Sequence, residues 1–367
     1  MAAWLLIGPR GSRRIIAFQQ ALLSHGLPCA QVLDYETLLA DPTRLASAMA
    51  DAPDALVKLE SPGEAPALHH EFVLDGWKRS GAPGAAPHPA MHGELAHQHF
   101  WHAGFAGLLA TLPPGMRYFN APADLAQMAD KLACQQQLAN TGVPVPPLFG
   151  LVNGYDDMRG RMRAAGCHRV FVKARFGSSG AGVLAYACHP DGREVAYGSA
   201  ELAQGGGHWR IFNSLRQRRY ERHDEIARLI DIVTAQGAYL ERWIPKPAVG
   251  THGRHRFDVR MVVMDGQPRQ RVARISTGAL TNLHLGNARG RLGSWLDADA
   301  VETLECTAMA AAASFPRSRM VGFDLIVRGR RSWVLEANGF GDLLPGLRHA
   351  GHTTYDDQAL MDAPAHA

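Results

Sequence analysis

The chain has 367 residues, enough for two or three domains, and its 46% hydrophobic and 20% charged residues are an ordinary globular balance. A formal charge of +4 suits an anionic substrate and is too small to argue for a nucleic-acid partner. The five cysteines, Cys29, Cys134, Cys167, Cys188 and Cys306, are scattered without Cys-x-x-Cys spacing. That argues against a zinc site or a disulfide framework and fits a reduced, cytoplasmic setting.

At the N-terminus the apolar run Trp4–Ile7 precedes Arg10, Arg13 and Arg14, the reverse of a signal peptide. No run approaches the length of a membrane span, so no membrane partner is expected. Residues 2–7 read as a buried strand, Gly8–Ser12 as a turn, and Ile15–Ser24 as a helix ended by His25-Gly26. Ala30–Leu33 and Ala55–Lys58 read as further strands, and this order predicts an α/β unit with a parallel sheet. Gly8-x-x-Gly11 lacks the Gly-x-Gly-x-x-Gly spacing of a dinucleotide site. Residues 80–93, rich in Gly, Pro and Ala, read as a linker or flap. The patch His92, His97, His99 and His102 follows. His92 and His97 are five apart and cannot share a helix face as metal-binding i, i+4 pairs do, so a helix packing onto the first unit is expected.

Asn120–Gly142 reads as one helix, with Pro122 near its start and Asn140-Thr141-Gly142 as its stop. Lys131 lies within it, and a lysine there is ordinarily solvated. Val143–Pro147 forces an extended exit. Next, Val170–Lys173 reads as a strand running into Ala174–Val183, which contains Gly177, Ser178, Ser179, Gly180 and Gly182. Such a loop lets backbone N–H groups approach an anion, and a strand lysine beside a Gly-rich hairpin is a phosphate-covering arrangement. It is not a P-loop, because the lysine precedes the glycines; a plain flexible turn is the alternative.

Residues 210–228 carry Arg210, Arg216, Arg218, Arg219, Arg222 and Arg228, with Trp209, Phe212 and Tyr220 interleaved. A solvated helix face is the expected reading, and a docking surface for an acidic substrate or peptide the sharper one. Tyr239–Pro245 reads as a short strand ended by proline. Phe257–Met264 alternates, with Asp258 and Arg260 on one face; Asp265-Gly266 turns the chain, and Arg271–Ile275 returns so that Arg274 faces the same way as Arg260. Thr281–Asn287 is a polar loop and Asp297–Ala313 a helix.

The most telling stretch is Val321–Gly341. Two apolar runs flank Arg328-Gly329-Arg330-Arg331, which predicts a hairpin. Folded about Arg330, it sets Asp324 opposite Glu336, with Asn338 on the face of Glu336. No cation is expected near them on that face, so two carboxylates and an amide oxygen suit Mg²⁺. Otherwise they form a solvated acidic hairpin.

Together these parts resemble the ATP-grasp superfamily, most closely its branch containing D-alanine–D-alanine ligase, glutathione synthetase and the RimK-type ligases. The resemblance spans about residues 118–346. It implies an α/β (α+β) fold: a pre-ATP-grasp domain over 1–119, a central subdomain with the Gly-rich phosphate loop over 120–205, and a C-terminal subdomain with the metal hairpin over 206–367, the two subdomains sandwiching the nucleotide. By position, Lys131 and Lys173 would contact the α- and β-phosphates, and Gly177, Ser178, Ser179, Gly180 and Gly182 would close over the triphosphate. Glu241, Trp243 and Ile244 would line adenine, and Asn282 would reach the phosphates or metal. Arg260 and Arg274 would act near the γ-phosphate, and Asp324, Glu336 and Asn338 would hold two Mg²⁺ ions, for which Mn²⁺ can substitute.

Two positions depart from the relatives. Asn338 is followed by Gly339-Phe340-Gly341-Asp342 rather than a small residue and Pro-Gly, and Gly322 stands where D-alanine ligases have an arginine. The resemblance implies ATP-dependent ligation of a small-molecule or peptide carboxylate to an amine through an acyl-phosphate, releasing ADP and phosphate. The alternatives are a small-molecule kinase, or a peptide-modifying ligase or nucleotide-binding module acting on a ribosomal peptide. A homodimer is compatible with the sequence.

Overall fold

The computed structural model describes residues 3–63, 65–177, 180–205, 207–249, 253–340 and 344–361. Among the described residues three sheets carry the fold, and they are laid down in chain order. The first is parallel, of order β2-β1-β3. It is built from β1 (Trp4–Ile7), α1 (Arg13–Ser24), β2 (Gln31–Leu33), α2 (Tyr35–Ala40), α3 (Arg44–Ala50) and β3 (Leu56–Leu59). β1 and β3 are buried throughout; β1 is wholly apolar, and the one charge in β3, Lys58, is buried and paired with Glu60. Ser12 starts α1 by accepting the Ile15 amide on its hydroxyl.

α4 (Pro66–Ser80) and α5 (Gln98–Thr111) then cross at two glycines. A Cβ on Gly76 would lie 1.8 Å from the Phe100 carbonyl oxygen, and one on Gly104 would lie 2.1 Å from that of Phe72. The helix backbones therefore touch where side chains would hold them apart. α5 takes up the second half of the histidine patch, with His97 at its N-cap and His99 and His102 within it, and packs on α4, as expected for a helix docked on the first unit.

The single helix expected over 120–142 is two: α6 (Pro122–Ala129) and α7 (Lys131–Asn140). The break is Asp130, which ends α6 with an extended backbone and caps α7 by accepting the Ala133 amide on its carboxylate. A capping carboxylate stabilises a new helix start, and here it outcompetes continuation.

The second sheet is antiparallel, of order β4-β9-β5-β6-β7-β8. Its elements are β4 (Leu148–Val152), α8 (Gly154–Ala164), β5 (Arg169–Ala174), β6 (Val183–Cys188), β7 (Glu194–Gly205), β8 (His208–Tyr220), α9 (His223–Ala235) and β9 (Ala238–Arg242). The arginine-rich stretch is thus a strand up to Tyr220 and a helix only from His223, with Arg222 at the N-cap of α9 and Arg228 within it. Ile211 and Tyr220 of β8 join the core under α8 and α9, while Arg218 and Arg219 lie outside, paired with Glu201 and Glu221. β8 is the edge. Residues 91–95 run beside part of it, with Leu95 N–H donating to Ile211 O at 2.8 Å and Asn213 N–H to Gly93 O at 2.7 Å.

The expected division at residue 205 falls within this sheet, where Gly205 pairs with His208. The change of sheet comes later, between Arg242 and Arg256. β9 returns between β4 and β5, so the sheet is incomplete without it.

The third sheet, also antiparallel, has the order β12-β11-β10-β13-β14. It is made from β10 (Arg256–Met264), β11 (Gln267–Ser276), β12 (Ala288–Gly290), β13 (Met320–Arg328) and β14 (Arg331–Asn338), with α10 (Ala298–Ala313) and α11 (Thr354–Leu360). Two apolar clusters join the first and third sheets, one linking Leu5, Phe72 and Phe105 with Phe257, Phe323 and Leu304, the other Trp4 and Phe119 with Val262 and Met320. The second sheet has its own cluster with α8 and α9. The molecule therefore has two packed bodies, and the candidate site lies where they meet. Among the described residues, no helix is long and apolar enough to cross a membrane.

The glycine crossing gives a direct expectation. Gly76→Ala or Gly104→Ala should each destabilise the protein by about 1–3 kcal/mol through overpacking. In urea denaturation the two together should cost less than their sum, because one separation of the helices relieves both.

Candidate active site

Asp324 pairs with Glu336 across β13 and β14, as the sequence predicts, and Asn338 with Gly322; nearer the turn the register is one residue off a fold about Arg330, with Val327 opposite Ser332 and Arg328 opposite Arg331. A bulge follows, since Leu325 pairs with Val334, leaving Leu335 as the extra residue. β10 lies on the other side of β13, with Arg260 opposite Asp324, and β11 sets Arg274 opposite Asp258. Because side chains alternate along strands, these groups share one face.

The expectation that no cation balances the carboxylates is overturned. Arg260 Nη2 donates to Asp324 Oδ2 at 2.9 Å and Arg260 Nε also bonds this carboxylate; Arg274 Nη2 reaches the same Oδ2 at 2.9 Å. Arg274 also holds Asp258 with two bonds, Nε to Oδ1 at 2.8 Å and Nη2 to Oδ2 at 2.9 Å. Lys246 Nζ lies 3.1 Å from Asp258 Oδ2 and donates to Thr281 Oγ1 at 2.6 Å, while the Thr281 hydroxyl donates to Asp258. Arg260, Arg274, Asp258 and Asp324 are all buried. Burial alone would lower the pKa of Arg274, but Asp258 and Asp324 raise it above its ordinary value. Lys246 is pulled below its ordinary value by burial, with Asp258 opposing.

The second body supplies the other wall. Lys173 on β5 pairs with Glu241 of β9 at 2.6 Å and donates to the Leu335 carbonyl at 3.3 Å, so the β14 bulge turns a backbone oxygen toward it. Lys131, the first residue of α7, pairs with Glu336. Its side chain is mostly buried, unlike the solvated lysine ordinarily expected in a helix. Burial would raise the Glu336 pKa, but Lys131 overrides it and brings the carboxyl down to about 2. Glu241 is 1% exposed, and burial raises its pKa against the pull of Lys173. Its Oε2 is buried with no hydrogen-bond partner.

The glycine-rich segment joins β5 to β6. Gly182 has φ +70°, and a Cβ there would meet the Ala174 side chain at 2.7 Å, so only glycine closes the neck of this loop. Gly177 lies near Gln98, and Gly180 near the Asn282 side chain of the third sheet's loop. Ser178 and Ser179 lie outside the described residues. Trp243 packs on Phe171, 5.3 Å between ring centroids, in a cluster with Val183, Ala185 and Leu280; Ile244 follows it, half-buried. Asn338 Nδ2 donates to the Gly322 carbonyl at 3.3 Å. Gln217, from an irregular stretch of β8, accepts the Leu280 amide at 2.9 Å and so ties the two bodies at this end.

Five cations, Lys131, Lys173, Lys246, Arg260 and Arg274, thus stand against four carboxylates, Asp258, Asp324, Glu241 and Glu336. Asp258, Lys246 and Thr281 form part of this network although the sequence assigned them no role. The Asp-x-Arg alternation of β10 was the available signal for Asp258. Nothing local marked Lys246, which follows a proline after β9.

No protein-family model matches the sequence, and no curated protein matches it either. The structure is similar over most of its length to many solved ones, among them one ligase and two synthetases. The crystal structure of the D-cycloserine synthetase DcsG matches with a TM-score of 0.55 at 16% identity, covering 98% of each chain. The ATP-grasp ligase PsnB complexed with a minimal precursor matches with a TM-score of 0.50 at 15% identity, covering 98% of this chain and 97% of that one. An ADP complex of PurK, N5-carboxyaminoimidazole ribonucleotide synthetase, matches with a TM-score of 0.54 at 10% identity, covering 92% and 70%. The chain has the ATP-grasp fold.

Removing one buried carboxylate should expose the charge balance. Asp258→Asn leaves Arg274 and Lys246 with one fewer anion and should cost about 3–5 kcal/mol of stability. Adding Lys246→Met should recover part of that loss in urea denaturation, because it removes one of the stranded charges.

Proposed function

We propose that this protein is a cytoplasmic ATP-dependent ligase that joins a carboxylate to an amine through an acyl-phosphate, releasing ADP and phosphate. The observation that carries this reading is the meeting of Lys131 and Lys173, from opposite bodies, at adjacent residues of β14. Two lysines converging across a cleft beneath a glycine loop suit a polyphosphate, which can take the place of Glu336 and Glu241 as their counter-anion.

The donor set supports magnesium. Asp324, Glu336 and the Asn338 amide offer hard oxygen atoms, and the bond from Asn338 Nδ2 to Gly322 leaves the amide oxygen for a ligand. Magnesium, as one or two ions with manganese as a substitute, would offset charge on the β- and γ-phosphates. Glu241 Oε2, buried and unpartnered, suits the amino group of adenine, with Trp243, Phe171 and Leu280 as apolar neighbours and Ile244 beside them. Gly177–Gly182 and Asn282 would cover the phosphates.

In this reading the substrate carboxylate attacks the γ-phosphorus and ADP leaves. The amine then attacks the acyl carbon, phosphate departs, and the amine loses a proton. Arg260 and Arg274, locked by Asp324 and Asp258, present fixed positive charge to the transferring phosphoryl group and to the oxyanion. Arg260 stands directly across from Asp324, which supports its replacing the arginine absent at Gly322. No side-chain nucleophile is required. Both peptide and small-molecule substrates are compatible with this reading, with a single chain or a homodimer.

The test is a screen of amino acids and peptides for stimulated release of ADP and phosphate, with mass spectrometry of the products. Lys173→Ala and Glu336→Gln should each lower turnover by at least about a hundredfold while circular dichroism stays unchanged. Wild-type ADP release in either variant, or a stable phosphorylated product without free phosphate, would sink the proposal.

A further inference from the structure

Lys131 and Lys173 belong to different bodies, yet a phosphate chain must meet both. One junction sets their separation. Asp130, 6% exposed, caps α7 through Ala133 N at 3.2 Å. The same carboxylate takes a forked bond from Arg175, with Nε at 2.8 and 2.9 Å and Nη2 at 2.6 Å. The backbones are tied as well: the Lys131 amide donates to the Arg175 carbonyl at 3.0 Å, and the Arg175 amide donates to Gly237 O at 3.0 Å. The next residue, Phe176, stacks on His102 of α5 with 4.3 Å between ring centroids. The root of the glycine loop, two residues beyond Lys173, is thus fastened to the start of α7, which carries Lys131, and to α5.

We propose that Asp130 and Arg175 are positioning residues: a clasp between the two bodies that sets the spacing of Lys131 and Lys173 and the angle at which the glycine loop leaves β5. The inference rests on the ATP reading above. A forked guanidinium–carboxylate pair fixes orientation as well as distance, which a single point charge does not. Asp130 adjoins Lys131, and Arg175 lies two residues after Lys173, so a tilt of the clasp displaces both lysines at once. The competing reading is that Asp130 is only a helix cap.

Two substitutions separate the readings. Asp130→Asn keeps a cap of nearly equal strength but loses the ionic fork. Arg175→Lys keeps the charge but loses the planar geometry. Binding of Mg-ADP and of adenosine to wild type and variants is measured by calorimetry, alongside KM and kcat for ATP. Both variants should bind Mg-ADP at least about tenfold more weakly and raise KM for ATP, with adenosine affinity and melting temperature nearly unchanged. The double variant should be no worse than the weaker single one, because the two residues act as a unit. Unchanged Mg-ADP affinity in Asp130→Asn, or equal losses for Mg-ADP and adenosine, would overturn the clasp. A wild-type protein that binds neither ligand would overturn the ATP reading itself, and the clasp with it.

Discussion

Charge neutralisation across strands is the constraint on which this cleft depends. Asp324 and Asp258 are buried side chains, and a buried carboxylate without a partner costs several kcal/mol. The third sheet meets that cost by its strand order. β10 lies between β11 and β13, so Arg260 faces Asp324 and Arg274 reaches both acids. The face is already close to electrical balance before any ligand arrives. An anion entering it exchanges partners with the existing pairs rather than meeting bare charge, which keeps the desolvation cost of binding moderate.

The two bodies divide the work of holding these groups. The first and third sheets share apolar clusters and so form one rigid support for Asp258, Asp324, Arg260 and Arg274. The second sheet carries Lys173, Glu241 and the glycine loop on a separate core. Lys131 with Glu336 lies within the first body, while the contacts between the bodies at the site are polar or carried by loops: Lys173 with Leu335 O bridges the two, and Gln217 with Leu280 N closes the far end. Polar bridges of this kind can be exchanged for others more readily than an apolar core can be repacked.

Much of this was legible in the sequence, and what was not has a physical reason. The hairpin was readable because two apolar runs flanked a glycine turn, but the Asp324–Glu336 pairing was met only because the bulge at Leu335 makes up the one-residue difference at the turn, which no local pattern marks. The shared face of Arg260 and Arg274 followed from strand alternation. Their partners did not, because the neighbour of a central strand is set by sheet order, which no local pattern encodes. The break at Asp130 was hidden because a single aspartate inside an otherwise helical stretch does not by itself mark a boundary, and its fork with Arg175, 45 residues on, lies outside any local pattern. β8 was misread because arginine is a good helix former in isolation. Pairing with β7 and burial of Ile211 overrode that preference. Residue 205 falls inside the second sheet for a related reason: β9 returns to the sheet it had left, so sequence neighbours and sheet neighbours part company.

The position of residues 91–95 against β8 has a consequence for self-association. An outermost strand of 13 residues offers a row of unpaired backbone groups on which another chain can grow. Here the chain's own loop occupies that row at Ile211 and Asn213. Beyond it, exposed Arg216, Arg218 and Arg219, the last two paired with Glu201 and Glu221, put charged side chains where a second copy would have to stack. The long hairpin can therefore project from its sheet without becoming a seed for fibrous assembly, even though Leu215 at its margin is 71% exposed.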